Sequence, residues 1–142
     1  MTTVQQLLDA KGPDIYWVGS DDTVLDALKM MDNKDVGAVL VKDGDRLAGI
    51  FTERQYARKV FLKGRSSPKT LVREVMEPDV ICVAPEQTTD ACMALMTEKR
   101  IRHLPVLRDE QVIGMISIGD LVKSLIADRE FTIEQLEHFI RG

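Results

Sequence analysis

Shifting the chain by 65 residues lays residues 26–56 over residues 91–121 without a gap, glycine on glycine and apolar on apolar. Met31 falls on Met96, Val36 on Ile101, Val39 on Leu104, Val41 on Val106, Leu47 on Val112 and Gly49 on Gly114. The same shift pairs Pro13-Asp14-Ile15 with Pro78-Asp79-Val80, and Val18 with Val83, so the two copies fill the chain. Self-similarity at this period signals paired supersecondary units that bury a core together. Copies of about sixty residues bury too little surface to be secure alone, which favours mutual burial.

Each copy opens with a short β-rich piece, Ile15-Tyr16-Trp17-Val18 or Val80-Ile81-Cys82-Val83. A polar turn and an amphipathic helix follow. Val24, Ala27, Leu28 and Met31 keep helical spacing in the first copy, and Ala91, Ala94 and Leu95 do so in the second, beside Cys92 and Met96. Two strands joined by a tight turn come next. Gly37-Ala38-Val39-Leu40-Val41 and Leu47-Ala48-Gly49-Ile50-Phe51 flank an Asp-Gly turn, the usual hairpin signal. His103-Leu104-Pro105-Val106-Leu107 and Val112-Ile113-Gly114-Met115-Ile116 repeat it, with Pro105 expected at an edge or bulge because it has no N–H for a ladder. A helix then starts at Glu53 or Ile118. The fold class expected is α+β, two β-α-β-β-α repeats related by a pseudo-two-fold.

Short helical pieces precede the copies, at residues 4–8 and 71–76, and the stretch 63–69 carries linker residues. Sequence order therefore divides the chain into a first repeat with its N-terminal helical segment (1–64), a second repeat with its linker and preceding helical segment (65–130), and a C-terminal helix (131–142). That last helix is expected to start at Thr132-Ile133-Glu134-Gln135, which resembles a capping box. Its apolar stripe, Ile133, Leu136, Phe139 and Ile140, either closes the core of the monomer or meets another subunit.

The composition, 44% hydrophobic and 30% charged, is that of an ordinary globular chain, and no apolar run approaches the roughly 18 residues of a membrane span. The N-terminus has neither a basic nor an apolar signal region, so the cytoplasm is the expected compartment. A net charge of −4 argues against nucleic-acid binding. Cys82 and Cys92 stand outside any metal-binding or redox spacing and are expected to be buried apolar residues. Arg54, Arg58, Lys59, Lys63, Arg65, Lys69 and Arg73 gather mid-chain, where they suit either a small anionic ligand or a solvated face.

The strongest local signal is Gly114-Met115-Ile116-Ser117-Ile118-Gly119-Asp120, a strand running into a helix through a hydroxyl residue with an acid three positions on. Such a terminus can receive an anion on its N–H groups while Asp120 accepts the two hydroxyls of a ribose. Ser-x-x-Asp is also close to a helix cap, and Thr52-x-x-Gln55 fits a capping box outright. No nucleophile, metal set or paired acid and base accompanies His103 or either cysteine, so no catalytic constellation is expected and no catalytic cofactor.

These features resemble a tandem pair of cystathionine β-synthase-type (CBS) domains, a Bateman module, over nearly the whole length. The resemblance rests on the doubled element order, on Gly-Ile-Phe-Thr-Glu-Arg-Gln at 49–55, on Arg-His-Leu-Pro-Val at 102–106 and on Gly-Met-Ile-Ser-Ile-Gly-Asp at 114–120. It is closest to small stand-alone bacterial members used in signalling. The resemblance implies clefts between the repeats that take adenosine-containing ligands such as AMP, ATP, NAD(H) or S-adenosylmethionine, and a disc-like homodimer. It implies that Asp120 holds the ribose hydroxyls, that Ser117 contacts ribose or phosphate, and that Arg102 and His103 meet phosphates. Ile118, Gly119, Pro105, Val80, Ile81, Thr52, Glu53, Arg54, Gln55, Arg58 and Arg65 complete the candidate nucleotide-binding set. The first copy departs from the pattern: Gln55 replaces the acid, and Gly37-Ala38 replace Arg-His. Three functions are compatible with this chain: a non-catalytic nucleotide sensor read by an unidentified regulated protein, a dimeric scaffold with vestigial clefts, and, ranked last, a nucleotide-processing enzyme.

Overall fold

The computed structural model describes residues 1–141 and divides them into two compact units, one of residues 15–80 and the other of Met1–Asp14 together with the chain from Ile81 onward. In sequence order the elements are α1 (Val4–Lys11), β1 (Trp17–Gly19), α2 (Val24–Lys34), β2 (Ala38–Asp43), β3 (Arg46–Thr52) and α3 (Glu53–Gln55). A π-helical turn, Tyr56–Phe61, extends α3, and a 3-10 turn, Ser67–Lys69, leads into α4 (Val72–Val75). Then come α5 (Thr89–Lys99), β4 (His103–Arg108), β5 (Gln111–Ser117) and α6 (Ile118–Arg141). The α+β class and the two matching hairpins agree with the sequence reading.

In the unit of residues 15–80, β2 pairs antiparallel with β3 and parallel with β1, and Val18, Val24, Ala27, Met31, Val39, Val41 and Phe51 form the core with Val60, Val72 and Val75. α4 lies beside β3 because Ile50 and Glu77 exchange both backbone hydrogen bonds at 2.9 Å. That approach requires Gly49: a Cβ there would sit 2.6 Å from Met76 Sδ and 2.8 Å from Glu77 O.

The other unit repeats this scheme with α1 in the place of α4. Thr3 bridges Thr88 as Leu71 bridges Thr23, and Val4 N–H donates to Gln87 O at 2.8 Å as Val72 N–H donates to Asp22 O at 2.8 Å. Leu8 takes the place of Met76 and packs so tightly on Gly114 that a Cβ there would meet its methyls at 2.6 and 2.9 Å. Val4, Leu7 and Leu8 join Val83, Cys92, Met96, Leu104, Val106, Ile116 and Leu121 in one core. The spatial units thus cut across the division by sequence order: α1 belongs with the second copy and α4 with the first.

The second sheet has two strands rather than three, and Pro105 supplies the reason. In the first copy Leu40 N–H donates to Tyr16 O at 2.9 Å, the bond that begins the parallel pairing of β1. Pro105 stands at the position of Leu40 and has no N–H, so Ile81, at the position of Tyr16, cannot be held in this way. The strand expected at residues 80–83 contracts to the isolated Val83–Val106 bridge, supported by Val83 N–H to Pro105 O at 3.0 Å. Pro105 accordingly lies at the outer edge of the β4–β5 pair, as expected.

At the C-terminus the structure replaces two expected helices by one. α6 is continuous from Ile118, and Thr132, expected to cap a new helix, instead donates its hydroxyl back to Asp128 O at 2.9 Å. A Thr hydroxyl bonded to the carbonyl four residues earlier is a mid-helix arrangement.

Candidate functional site

Each copy's hairpin delivers a hydroxyl residue to the start of a helix, and both starts are closed by reciprocal side-chain bonds. Ser117 N–H donates to Asp120 Oδ2 at 2.8 Å while Asp120 N–H donates to Ser117 Oγ at 3.2 Å. In the first copy Thr52 N–H donates to Gln55 Oε1 at 3.0 Å, Gln55 N–H donates to Thr52 Oγ1 at 3.4 Å, and the Thr52 hydroxyl also donates to Gln55 Oε1. The cap is therefore real in both copies. It leaves a difference between them, since an amide oxygen and a carboxylate oxygen fill the same role and only the carboxylate brings a charge.

That charge is answered by Lys11, whose ammonium donates to Asp120 Oδ2 and to Met115 O, each at 2.7 Å. The lysine and the Ser117 amide both address Oδ2, so neither takes Oδ1. Burial by itself raises the Asp120 pKa, but the Lys11 hydrogen bond, the Ser117 amide and the lysine's charge outweigh it and hold the carboxyl below the usual range. His103 faces Ser117 across the β4–β5 register, and Arg102 O accepts from Ile118 N–H at 2.9 Å. Burial pushes the His103 pKa down, Asp120 opposes that, and Arg102 and Lys11 reinforce it. At neutral pH the group therefore comprises an ionised Asp120, a neutral His103 and two cations. Such a set can accept hydrogen bonds from a diol and attract an anion.

Arg102, His103, Ser117, Ile118 and Asp120 are thus brought together as the sequence placed them. Pro105 shares a strand face with His103. Ile81 packs on the core of this unit, while Val80 ends the other one. Gly119 is not forced by crowding, because a Cβ there would meet only Ser117 Oγ, at 3.6 Å. Lys11 was not singled out from sequence: it lies on a helix that the order of the chain assigns to the other copy, and no spacing ties it to residue 120.

In the other unit Thr52, Glu53 and Gln55 form the start of α3, and Glu53 N–H donates to Gly37 O at 3.1 Å as Ile118 does to Arg102. Arg54 and Arg58 are exposed along α3 and its π-helical extension. The basic cluster is partly spent on ion pairs. Arg65 pairs with Glu74 at 3.1 Å and Arg73 pairs with Asp21, so Arg65 is drawn toward α4 rather than toward Gln55. Glu74 accepts from Leu71 N–H, and that bond lowers its pKa against the opposing effect of desolvation, with help from Arg65 and Arg73. Cys92 fills the core where the first copy has Ala27, whereas Cys82 is only partly buried; burial raises both thiols. Among the described residues no group of three or more His, Cys, Asp or Glu is placed to hold a metal, and no helix is long and apolar enough to cross a membrane.

A doubled hairpin-and-helix unit whose helix starts carry Thr52–Gln55 and Ser117–Asp120 defines a tandem-repeat α+β module. Residues 9–61 and 72–127 each match the CBS domain, and the chain belongs to the CBS-domain family as a stand-alone pair. It is 43% identical over 150 residues to the mitochondrial CBS domain-containing protein CBSX3 of Arabidopsis thaliana, covering 99% of this chain and 73% of that protein. Among solved structures it is similar to a signal-transduction protein with CBS domains from Burkholderia ambifaria, with 60% identity and a TM-score of 0.87 over 89% of this chain and 96% of that one. A hexameric CBS-CP12 protein from bloom-forming cyanobacteria is 26% identical with a TM-score of 0.76, over 86% of this chain and 70% of that one. Proteins of this family are generally regulatory and bind adenine nucleotides.

Proposed function

We propose that this chain is a cytoplasmic, non-catalytic sensor of an adenine nucleotide, AMP, ATP or NAD(H), that acts as a homodimer on a regulated protein. One observation carries the reading: at the start of α6 an ionised Asp120 keeps Oδ1 clear of its cap and its ion pair, beside Lys11, Arg102 and a neutral His103. The free carboxylate oxygen suits ribose hydroxyls and the two cations suit phosphate. For such a ligand to signal, it must favour one state of the module over another.

The start of α3 offers a neutral amide in the same role. Hydrogen bonds to charged groups contribute about 1.5–3 kcal/mol against roughly 0.5–1.5 for neutral ones, so the Gln55 site is the weaker by on the order of tenfold. Calorimetric titration with AMP, ATP and NADH, after mass spectrometry of any ligand that co-purifies, tests this. The expected result is two unequal sites, with Gln55→Asp strengthening the weaker and leaving the stronger unchanged. Two equal sites, or no response to Gln55→Asp, overturn the ribose assignment. Gln55 also favours the scaffold as a second reading, and the absence of binding by all three nucleotides at millimolar concentration would establish it in place of the sensor.

A further inference from the structure

The second half of α6 is a helix with nothing of its own unit to lean on. Residues 125–141 are all exposed, and Thr2, whose hydroxyl donates to Asp128 at 2.9 Å, makes the last bond from outside the helix to any of them. A free helix of that length is marginal in water, and this one spends large apolar side chains on solvent: Leu136 is 57% exposed, Phe139 85% and Ile140 79%. A surface so apolar marks a contact.

The pattern of those residues says what kind of contact. Val122, Ile126, Arg129, Ile133, Leu136 and Ile140 follow one another at alternating spacings of four and three, the a/d seam of a coiled coil with one polar member. Leu121, the residue of α6 fully buried in its own core, lies off both flanks of that seam, so the seam is left facing away from the core. We infer that α6 pairs antiparallel with α6 of a second copy, about a two-fold axis near residue 131. The seam is symmetric about that point: Val122 then opposes Ile140 of the second copy, Ile126 opposes Leu136, and Arg129 opposes Ile133. The flanks agree independently. In an antiparallel pair Leu125 meets Phe139 of the second copy, and Lys123 meets Glu137 of the second copy, so apolar meets apolar and opposite charges meet. Near the axis the same flank sets Glu130 beside Glu130 of the second copy, while Arg129, the seam's one cation, opposes Ile133 rather than the other arginine and stands one residue from each glutamate. A parallel pair would instead set each position of the seam beside itself, bringing the two Arg129 side chains together in the centre.

This assignment rests on the homodimer proposed above and locates its contact. The test uses the full chain in sedimentation equilibrium at micromolar concentration. Ile133→Glu, at a position exposed in the monomer and buried twice in the pair, is expected to weaken association by more than about a hundredfold. Lys123→Glu and Glu137→Lys, each alone, set like charges at two flanking contacts and are expected to weaken it by roughly threefold to tenfold. An equimolar mixture of those two variants restores opposite charges at both contacts only in the antiparallel arrangement, and it is expected to recover the original affinity as a heterodimer. A wild-type chain that is a monomer overturns the homodimer and the pairing together. A dimer that is indifferent to Ile133→Glu leaves the homodimer standing and overturns the seam, and a mixture that fails to recover overturns the antiparallel register.

Discussion

The Lys11–Asp120 pair joins the opening helix of the chain to the last, and its contribution can be separated from that of the cap it shares. Asp120→Asn keeps an oxygen for the Ser117 amide, as Gln55 does for Thr52, but removes the charge; Asp120→Ala removes both. The side chains of Lys11 and Asp120 are 30% and 19% exposed, between the surface pairs that contribute about 0.2–1 kcal/mol and the charged hydrogen bonds that contribute about 1.5–3. A coupling of about 1–2 kcal/mol follows. Adding about 1 kcal/mol for the cap, Asp120→Ala should cost about 2–3 kcal/mol, or roughly 5–10 °C in Tm for a chain of this size. Denaturant unfolding of wild type, Lys11→Met, Asp120→Asn and the double variant gives the coupling directly. The pair lowers the folded-state pKa of Asp120, so its stabilisation is present above about pH 4 and is lost as the pH falls through the lowered value. Additive single effects would refute the pairing, and equal costs for Asp120→Asn and Asp120→Ala would refute the separate contribution of the cap.

His103 acts in the same direction at a higher pH: its pKa is lowered on folding, so its contribution is complete above about pH 6.5 and declines as acid protonates the unfolded chain first. Stability should fall between pH 7.5 and 5.5 in wild type and fall less in His103→Gln, and parallel pH profiles would refute the assignment. The two packed glycines should differ: Gly49→Ala meets a backbone oxygen fixed by the Ile50–Glu77 bonds, while Gly114→Ala meets the mobile tips of Leu8. Costs of about 2–3 and about 1–2 kcal/mol are expected in urea titrations, and the reverse order would show that Leu8 is the more rigid neighbour.

The hairpins, helices and helix starts were legible in the sequence because each rests on local chemistry: alternation in the strands, an apolar stripe in the helices, a hydroxyl three residues before a polar acceptor. The repeat carried this further, since αL closures at Asp35 and Arg100 and bulges after Val41 and Val106 recur at the same shift. The exchange of α1 and α4 was not legible. An eight-residue helix with an apolar stripe packs equally well on either copy as far as its own residues show, and the choice is made by contacts such as Leu8 on Gly114 that link positions far apart in the chain. Lys11 was missed for the same reason. The C-terminal cap misled because Thr132-Ile133-Glu134-Gln135 has the right residue types, yet nothing before it breaks the helix: 118–131 contains no proline and its one glycine lies in the first turn.

The two copies share the features that shape the backbone and differ at many side chains. Both keep a glycine under the opening helix, a left-handed residue after the first helix and a reciprocal cap at the second. Differences that change polarity are spread along the repeat, as in Leu25 to Asp90, Lys42 to Leu107 and Glu53 to Ile118, and three differences, Gly37-Ala38 to Arg102-His103, Leu40 to Pro105 and Gln55 to Asp120, gather in the second copy around β4 and the end of β5. A fold needs none of them, because the first copy folds with the neutral set. Pro105 even removes a sheet hydrogen bond, giving up part of a strand and leaving Ile81 O without the N–H that Leu40 gives Tyr16. Loss of regular pairing, an added carboxylate, a buried neutral histidine and two cations in one place are what a polar ligand requires and what packing alone would not produce. This asymmetry between the copies supports the proposal that the Asp120 cleft is the tighter of the two, which unequal sites in a nucleotide titration would bear out and equal sites would refute.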